Sequence, residues 1–180
     1  VNNITRWVKN GYIIKLKRGW YAFTECIQDR DMALLIANQI TEPSYISLHY
    51  ALAFYGMIPE TIIQLTSVTT KKTARYENAI GVFTYQTITP RLFFGYQPLS
   101  ITNSYNGGRI YTIATPEKAL LDLLYLHPEY QTEDDFVQLR LDEDFMLYEL
   151  NQARLNEYLQ RWNSPQLNKR VKLLLKAYNI

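Results

Sequence analysis

RIYTIATPEKALLDLLYL, residues 109–126, passes from a β-rich segment directly into a helix with no intervening loop. At the junction, Thr115 is a residue type that caps helices well, and Pro116 suits the first helical position. The carboxylate of Glu117 favours the positive end of the helix dipole. These local signals predict a strand at 109–113 and a helix that begins immediately after Thr115.

The predicted helix is apolar on almost every side, which is typical of a helix in the interior of a domain. After the first turn, only Lys118 and Asp122 interrupt its apolar residues. They are four residues apart, so their side chains can pair on one side of the helix. We therefore expect this helix to form the centre of a mixed α/β domain of the α+β class, with the other elements packed around it.

The composition is that of a globular protein. The chain has 180 residues, of which 47% are hydrophobic, and this suits one sizeable domain. A single cysteine, Cys26, excludes an intramolecular disulfide framework and fits a reducing cytoplasm. No apolar run reaches the length of a transmembrane helix, and the first residues lack the apolar core of a signal peptide. We therefore expect a cytoplasmic protein with no membrane partner.

The net charge of +2 conceals a segregation of charge along the chain. Residues 1–25 carry five basic residues and one acidic residue, and residues 151–180 carry six basic residues and one acidic residue. Between them, residues 129–149 carry eight acidic residues and one basic residue. Such blocks indicate either separate partners or internal pairing.

The basic N-terminal segment has the pattern of a short helix followed by a hairpin. Residues 2–10 predict the helix, and residues 12–23 predict the hairpin, with Arg18-Gly19 at its turn. A polar-faced helix followed by a basic hairpin is the second half of a winged helix-turn-helix. In that motif the helix enters the major groove and the hairpin contacts phosphates. The alternative is a basic, solvated hairpin on an ordinary domain.

The strand alternation of the hairpin places Ile14 and Leu16 on one face and the lysines on the other. Under the DNA-binding interpretation, the residues expected in the groove are Asn3, Thr5 and Arg6. The residues expected on phosphates are Lys9, Lys15, Lys17 and Arg18. On the other face of the helix, the residues that share an apolar stripe are Ile4, Trp7 and Val8.

Capping residues and periodicity predict the remaining elements. Further helices are expected from Asp29 or Asp31 to Ile40, at 47–55 with Ser47 as the cap, and at 132–139, 147–162 and 165–178. Further strands are expected at 62–69, 79–88, 93–96 and 99–102. The basic residues expected in a loop between two of these strands are Lys71, Lys72 and Arg75.

Few residues indicate catalytic chemistry. The two histidines, His49 and His127, are far apart, and no Cys–His metal cluster can be drawn. There is no glycine-rich phosphate loop and no nucleophile elbow. Asp142 and Asp144 have the spacing of metal-binding carboxylates on a strand, but a solvated acidic loop explains them better. We expect a protein that is not an enzyme, with no catalytic residue, metal or cofactor.

Four motifs in order resemble the AbiEi-type antitoxins of bacterial abortive-infection systems. They are ITRWVKNGYIIKLKRGWYAF at 4–23, PSYISLHYALAFYGMIPE at 43–60, IQLTSVTT at 63–70 and IATPEKALLDLLYL at 113–126. The resemblance implies an N-terminal winged helix that represses its own promoter and a C-terminal α/β domain with antitoxin activity. It also implies a type IV toxin–antitoxin pair, active in phage defence, whose toxin is a nucleotidyltransferase-like protein from the neighbouring gene.

The two domains that the resemblance implies have the following bounds. A partial winged helix-turn-helix (recognition helix plus wing hairpin) is expected at 1–25, and an antitoxin domain with a helical C-terminus is expected at 31–180. Toxins of this class use a Gly-Ser turn, and this chain has no Gly-Ser dipeptide, so it resembles the antitoxin. Family members carry further helices before the recognition helix, and this chain begins almost inside it. The sequence is therefore expected to be a fragment truncated at its N-terminus, or to have a misassigned start.

The acidic segment is the expected contact for the toxin. The residues assigned to it are Asp134, Asp135, Asp142 and Asp144. Pairing of these acids with the basic helix at 165–178 is the competing explanation. Two alternative functions stay open: a non-catalytic protein-interaction scaffold, and a metal-dependent nuclease. The nuclease would use Glu117, Asp122, Asp142 and Asp144.

Overall fold

The computed structural model of the protein describes residues 3–27, 30–101 and 108–180. Within these ranges the fold is mixed α and β, which confirms the expected class. The alternative helix starts at Asn2 and Asp29, and the strand end at Thr102, lie outside the described residues. Among the residues described, no helix has both the length and the apolar character needed to cross a membrane.

The helices and strands of the described residues have the following bounds. The helices are α1 (Asn3–Lys9), α2 (Arg30–Ile40), α3 (Leu48–Phe54), α4 (Pro116–Leu126), α5 (Glu133–Gln138), α6 (Gln152–Trp162) and α7 (Pro165–Ala177). The strands are β1 (Ile13–Lys17), β2 (Trp20–Phe23), β3 (Ser44–Ile46), β4 (Leu65–Thr69), β5 (Ala74–Asn78), β6 (Gly81–Thr87), β7 (Tyr96–Ser100) and β8 (Ile110–Ala114). Short 3₁₀ turns lie at Thr24–Ile27 and Pro90–Leu92, and a π-helical turn lies at Phe145–Glu149.

Six strands form one mixed sheet in the order β5-β6-β4-β3-β8-β7, and β1 and β2 form a separate hairpin. The pairs β4–β6 and β3–β8 are parallel, and the other neighbours are antiparallel. Helix α4 packs against α3, α6 and α7, and its residues 117–124 are all buried. The expectation of a central helix is therefore confirmed.

The sheet contains strands that the sequence pattern did not predict. Strand β5 occupies part of the expected basic loop, and Arg75 lies within it. Its alternating polar residues resemble a loop, yet pairing with β6 makes it an edge strand. Strand β3 has only three residues, all buried, which is too short for a periodic signal.

One strand replaces the two that were expected after Pro90. Residues 96–100 form β7 at the edge of the sheet, and Phe93 instead packs its ring 4.9 Å from that of Tyr45. Pro98 lies inside β7, where it faces Thr112 of β8. A proline without an N–H is tolerated there because an edge strand leaves one side unpaired.

The hairpin is confirmed, but its buried face differs from the expected one. Leu16 is buried as expected, but its buried partner is Ile13, and Ile14 is only partly buried. The pairing register shifts between Lys15 and Lys17, and such a bulge changes which residues face the core. Leu16 belongs to the main hydrophobic core, and its carbonyl accepts a hydrogen bond from Asn78 Nδ2 at 3.2 Å. The hairpin is thus packed on β5.

A buried polar network connects α4 to β3. Lys118 Nζ donates hydrogen bonds to the carboxylate of Asp122 and to the hydroxyl of Tyr45, the latter at 2.7 Å. Tyr45 and Ser47 in turn donate to Asp122 Oδ2, at 3.0 and 2.8 Å. The pairing of Lys118 with Asp122 is confirmed. Ser47, expected to cap α3, makes no side-chain cap bond because its hydroxyl is directed to Asp122.

Aromatic rings surround the ammonium group of this network. Lys118 Nζ lies 4.4 Å from the ring centroid of Trp162 and 5.3 Å from that of Phe94. Burial lowers the pKa of Lys118, and the neighbouring Asp122 carboxylate opposes that shift. Gly95 permits the close packing, because a Cβ there would lie about 3.1 Å from the stem of Lys118. The network thus fixes the position of α4 against β3 and α6.

Replacing Lys118 by Met removes the cation but keeps a side chain of similar length. We expect a loss of about 3–5 kcal/mol in the free energy of unfolding, because Asp122 would lose its buried partner. Urea denaturation measures this loss. The control is Lys172→Met on the exposed face of α7, which should change stability by no more than about 0.5 kcal/mol. Equal effects of the two substitutions would contradict a structural role for the pair.

Candidate functional site

The seven residues expected to contact DNA lie together on α1 and the hairpin. The six whose side chains are exposed are Asn3, Thr5, Arg6, Lys9, Lys15 and Arg18. A short turn joins helix α1 to the hairpin. Gly11 lies in this turn with a φ of 72°, and its carbonyl accepts a hydrogen bond from Thr24 Oγ1, just after the hairpin. A positive φ favours glycine at this helix end. The local structure thus presents basic side chains from both elements to solvent.

Lys17 differs from the other six residues because its amino group already has partners. Its Nζ donates a hydrogen bond of 2.6 Å to the carbonyl of Ile40 at the end of α2, and it lies 4.5 Å from the ring centroid of Trp20. By contrast, the side chains of Lys15 and Arg18 form no ion pair with any described residue. Lys17 therefore holds the hairpin on the core, and Lys15 and Arg18 are available for an external anion.

The apolar stripe of α1 is half-exposed. Trp7 retains 42% of its accessible surface, and Ile4 and Val8 each retain 38%. No described residue of α1 is buried, and the helix contacts β1. The N-terminal segment is therefore attached to the rest of the fold through the hairpin.

Two of the four acids assigned to a partner have local structural roles. Asp135 accepts hydrogen bonds from the backbone N–H groups of Gln131 and Thr132, which complete a capping box at α5. These bonds hold the pKa of Asp135 below its usual range. Asp142 Oδ1 accepts the N–H of Phe145 at 2.7 Å. Both carboxylates therefore stabilise the backbone of the acidic segment.

The other two acids, Asp134 and Asp144, are exposed, and their side chains form no hydrogen bond or ion pair with any described residue. Internal pairing with the basic helix α7 is limited to one other acid, since Glu133 forms an ion pair with Lys176. None of the four assigned acids forms an ion pair within the described ranges. Asp134 and Asp144 are consequently the members of the set whose charge is open to a partner.

The carboxylates of the nuclease alternative are not arranged as a metal site. Glu117 is 1% exposed, accepts the N–H of Asn151 at 2.9 Å and pairs with Arg154. Asp122 is enclosed in the network with Lys118, and neither Asp142 nor Asp144 lies on a strand. In the part of the chain that the structure describes, no group of three or more His, Cys, Asp or Glu could hold a metal. No observation therefore favours this alternative.

The two histidines, far apart in the sequence, are neighbours in the fold. The rings of His49 and His127 are 5.8 Å apart between centroids, because α3 and α4 pack together. His127 Nδ1 lies 2.8 Å from the carboxylate of Glu129, and its Nε2 lies 3.3 Å from the amide nitrogen of Gln86. The sequence carries no local signal for this cluster.

The environment of His49 favours its neutral form. Burial lowers the pKa of His49, and the nearby His127 lowers it further, whereas Glu60 and Glu129 oppose the shift. A histidine whose folded pKa lies below its unfolded value contributes stability above the unfolded pKa, near 6.5. That contribution is lost as the pH falls from about 6.5 through the folded pKa, because the unfolded chain binds the proton more readily.

Replacing His49 by Gln should therefore flatten the decline in stability between about pH 7 and pH 5. The measurement is the free energy of unfolding in urea at half-unit pH intervals. Between pH 7 and pH 8 the variant and the wild type should change in parallel, which serves as the internal control. A variant that declines as steeply as the wild type below pH 6.5 would show that His49 is not the group responsible.

No family model matches the sequence, and no curated protein matches it at a significant level. A functional proposal for this protein therefore depends on the exposed basic residues of α1 and the hairpin, and on the four sequence motifs.

Proposed function

We propose that this protein is a cytoplasmic antitoxin of the AbiEi type that counteracts a nucleotidyltransferase-like toxin and represses its own promoter by binding DNA. The observation that carries the proposal is the exposed basic surface of α1 and the β1–β2 hairpin, fixed to the α/β core through Leu16 and Lys17. The order of the four motifs supports the same function. In this proposal the protein has no catalytic activity of its own.

Each part of this surface has a distinct role in DNA recognition. Side chains of α1 reach base edges, where Asn3, Thr5 and Arg6 supply amide, hydroxyl and guanidinium groups. Lys15 and Arg18 contact phosphates and set the position of the protein on the duplex. Lys17 acts indirectly by holding the hairpin in place. This division separates sequence preference from general affinity.

The acidic segment is the second surface of the proposed antitoxin. An enzyme that acts on nucleic acid needs basic residues around its active cleft, and Asp134 and Asp144 offer complementary charge. Charge complementarity of this kind mainly sets the association rate and the orientation of the partners. The capping box at the start of α5 orders the backbone around Asp134, and the hydrogen bond from the N–H of Phe145 to Asp142 orders the backbone around Asp144.

Replacing Lys15 by Gln should weaken binding to all DNA sequences alike. Loss of one phosphate contact lowers the slope of log affinity against log salt by about 0.9. Fluorescence anisotropy with promoter and unrelated duplexes at several salt concentrations measures both effects. Lys17→Gln should instead lower the melting temperature, because it removes the bond to Ile40.

The matched control for Lys15 is Lys72→Gln, which removes an exposed charge from a residue outside α1 and the β1–β2 hairpin. It should leave the salt slope unchanged. If Lys15→Gln and Arg18→Gln both leave promoter binding at the wild-type level, the winged-helix interpretation is wrong.

Replacing both Asp134 and Asp144 by Lys should abolish rescue of cells that express the toxin while leaving the melting temperature unchanged. The physical reason is that neither side chain forms a hydrogen bond or ion pair with a described residue, and the position of Asp134 in the first turn of α5 adds only a small helix-dipole effect. The matched variant, with Asp135 and Asp142 replaced by Lys, should lower the melting temperature, because both carboxylates accept backbone N–H groups. Full rescue by the first variant would remove the acidic segment from the proposed interface.

A further inference from the structure

A basic groove lies between α7 and the segment that joins α4 to α5. It encloses about 390 Å³, which is within the usual range for small-molecule sites. The residues that line it are Pro128, Gln131, Gln166, Lys169, Arg170 and Leu173. The concave surface thus combines two cations from the first half of α7, Lys169 and Arg170, with two side-chain amides and the apolar side chains of Pro128 and Leu173. None of the residues that line the groove is assigned to DNA or to the toxin in the proposals above.

The two cations of the groove lack an acidic partner. Among the described residues, neither Lys169 nor Arg170 forms an ion pair, and the one hydrogen bond of the Arg170 guanidinium is a 3.4 Å bond to the carbonyl of His127. A guanidinium has five N–H donors, so most of its capacity is unused. Burial lowers the pKa of Arg170, which is the electrostatic signature of a cation that is partly withdrawn from water.

The acids nearest to the groove are bound to other cationic or polar groups. The Glu129 carboxylate accepts from His127 Nδ1 at 2.8 Å, and Glu133 pairs with Lys176 one turn beyond the groove. Glu129 remains close enough to raise the pKa of Arg170 in part. The positive charge is therefore reduced but not neutralised from within the chain.

We propose that this groove binds a phosphate group presented by a nucleotide or by a nucleic-acid strand. Lys169 and the free N–H groups of Arg170 supply charge-assisted donors, and a guanidinium matches the oxygens of a phosphate in pairs. The Gln166 side chain, which has no hydrogen-bond partner in the described structure, adds a neutral donor. Pro128 and Leu173 provide apolar surface for the sugar or base that carries the phosphate.

The groove also lies beside the positive end of a helix. Ser164 caps α7 and Pro165 occupies its first position, so Gln166 lies in the first turn of this helix and Lys169 in the second. The helix dipole acts mainly over the first turn and favours an anion near Gln166, in addition to the charged side chains. A phosphate in the groove would complete the hydrogen bonding of Arg170, which the chain itself leaves incomplete.

The binding test uses isothermal titration calorimetry at constant ionic strength with three probes: AMP, adenosine and a single-stranded oligonucleotide. Saturable binding of AMP identifies a nucleotide as the source of the phosphate. Binding of the oligonucleotide without AMP identifies a nucleic-acid strand. Adenosine should not bind. Equal binding of adenosine and AMP, or no saturable binding of either phosphate-containing probe, would overturn the proposal.

Three variants locate the site. Lys169→Gln and Arg170→Gln should each weaken binding of the effective probe by at least about tenfold, because each removes a charge-assisted contact. Lys172→Gln removes the same charge from the same helix outside the groove and should change affinity less than about twofold. Lys169 is exposed and has no structural bond, so this variant tests the site even if Arg170→Gln lowers the melting temperature. Equal weakening by Lys169→Gln and Lys172→Gln would show that the charge of the helix acts without a defined site.

Discussion

The buried pair of Lys118 and Asp122 is the constraint on which the rest of the structure depends. Removing two charges from water is costly, and only good geometry with further hydrogen bonds offsets that cost. Here Tyr45 and Ser47 complete the bonding of Asp122, and the ring of Trp162 lies over the ammonium group. These partners come from β3, from the start of α3 and from α6. The position of α4 therefore determines where the sheet and the C-terminal helices lie around it.

The charged side chains of α4 are buried, so this helix offers no charged surface to a partner. The surfaces available for function lie on the elements around it. The basic hairpin is packed on the β5 edge of the sheet, and the acidic segment follows α4 around α5 and the π-helical turn. The groove of α7 lies beside that segment, against the chain that leaves α4. The proposed function, in which one surface binds DNA and another binds a protein, is consistent with this placement, since each surface could then act without disturbing the shared core.

Charge in this protein is divided between structural bonds and solvent, and the sequence does not reveal the division. Adjacent residues of one charged run differ in whether their side chains form bonds within the fold: Asp135 accepts backbone N–H groups, and Asp134 does not. Acidic or basic groups that bond within the fold include Lys17, Glu117, Glu129, Glu133, Asp135 and Asp142, in addition to the buried pair of Lys118 and Asp122. Groups that form no ion pair with a described residue include Lys15, Arg18, Asp134, Asp144, Lys169 and Arg170. Groups of this second kind can offer their charge to a partner without the loss of an ion pair within the fold.

The sequence by itself determined what acts over a few residues. The Thr115 cap, the helix that follows, and the pairing of Lys118 with Asp122 were all predicted, because helix caps and i,i+4 contacts depend on neighbouring residues. The tertiary structure alone decided what depends on distant residues. It directed Ser47 to Asp122 instead of to a cap, and it brought His49 to His127 by packing α3 on α4. It also made strands of β3 and β5, since a strand with a short or polar sequence becomes ordered only through the hydrogen bonds of its neighbours in the sheet.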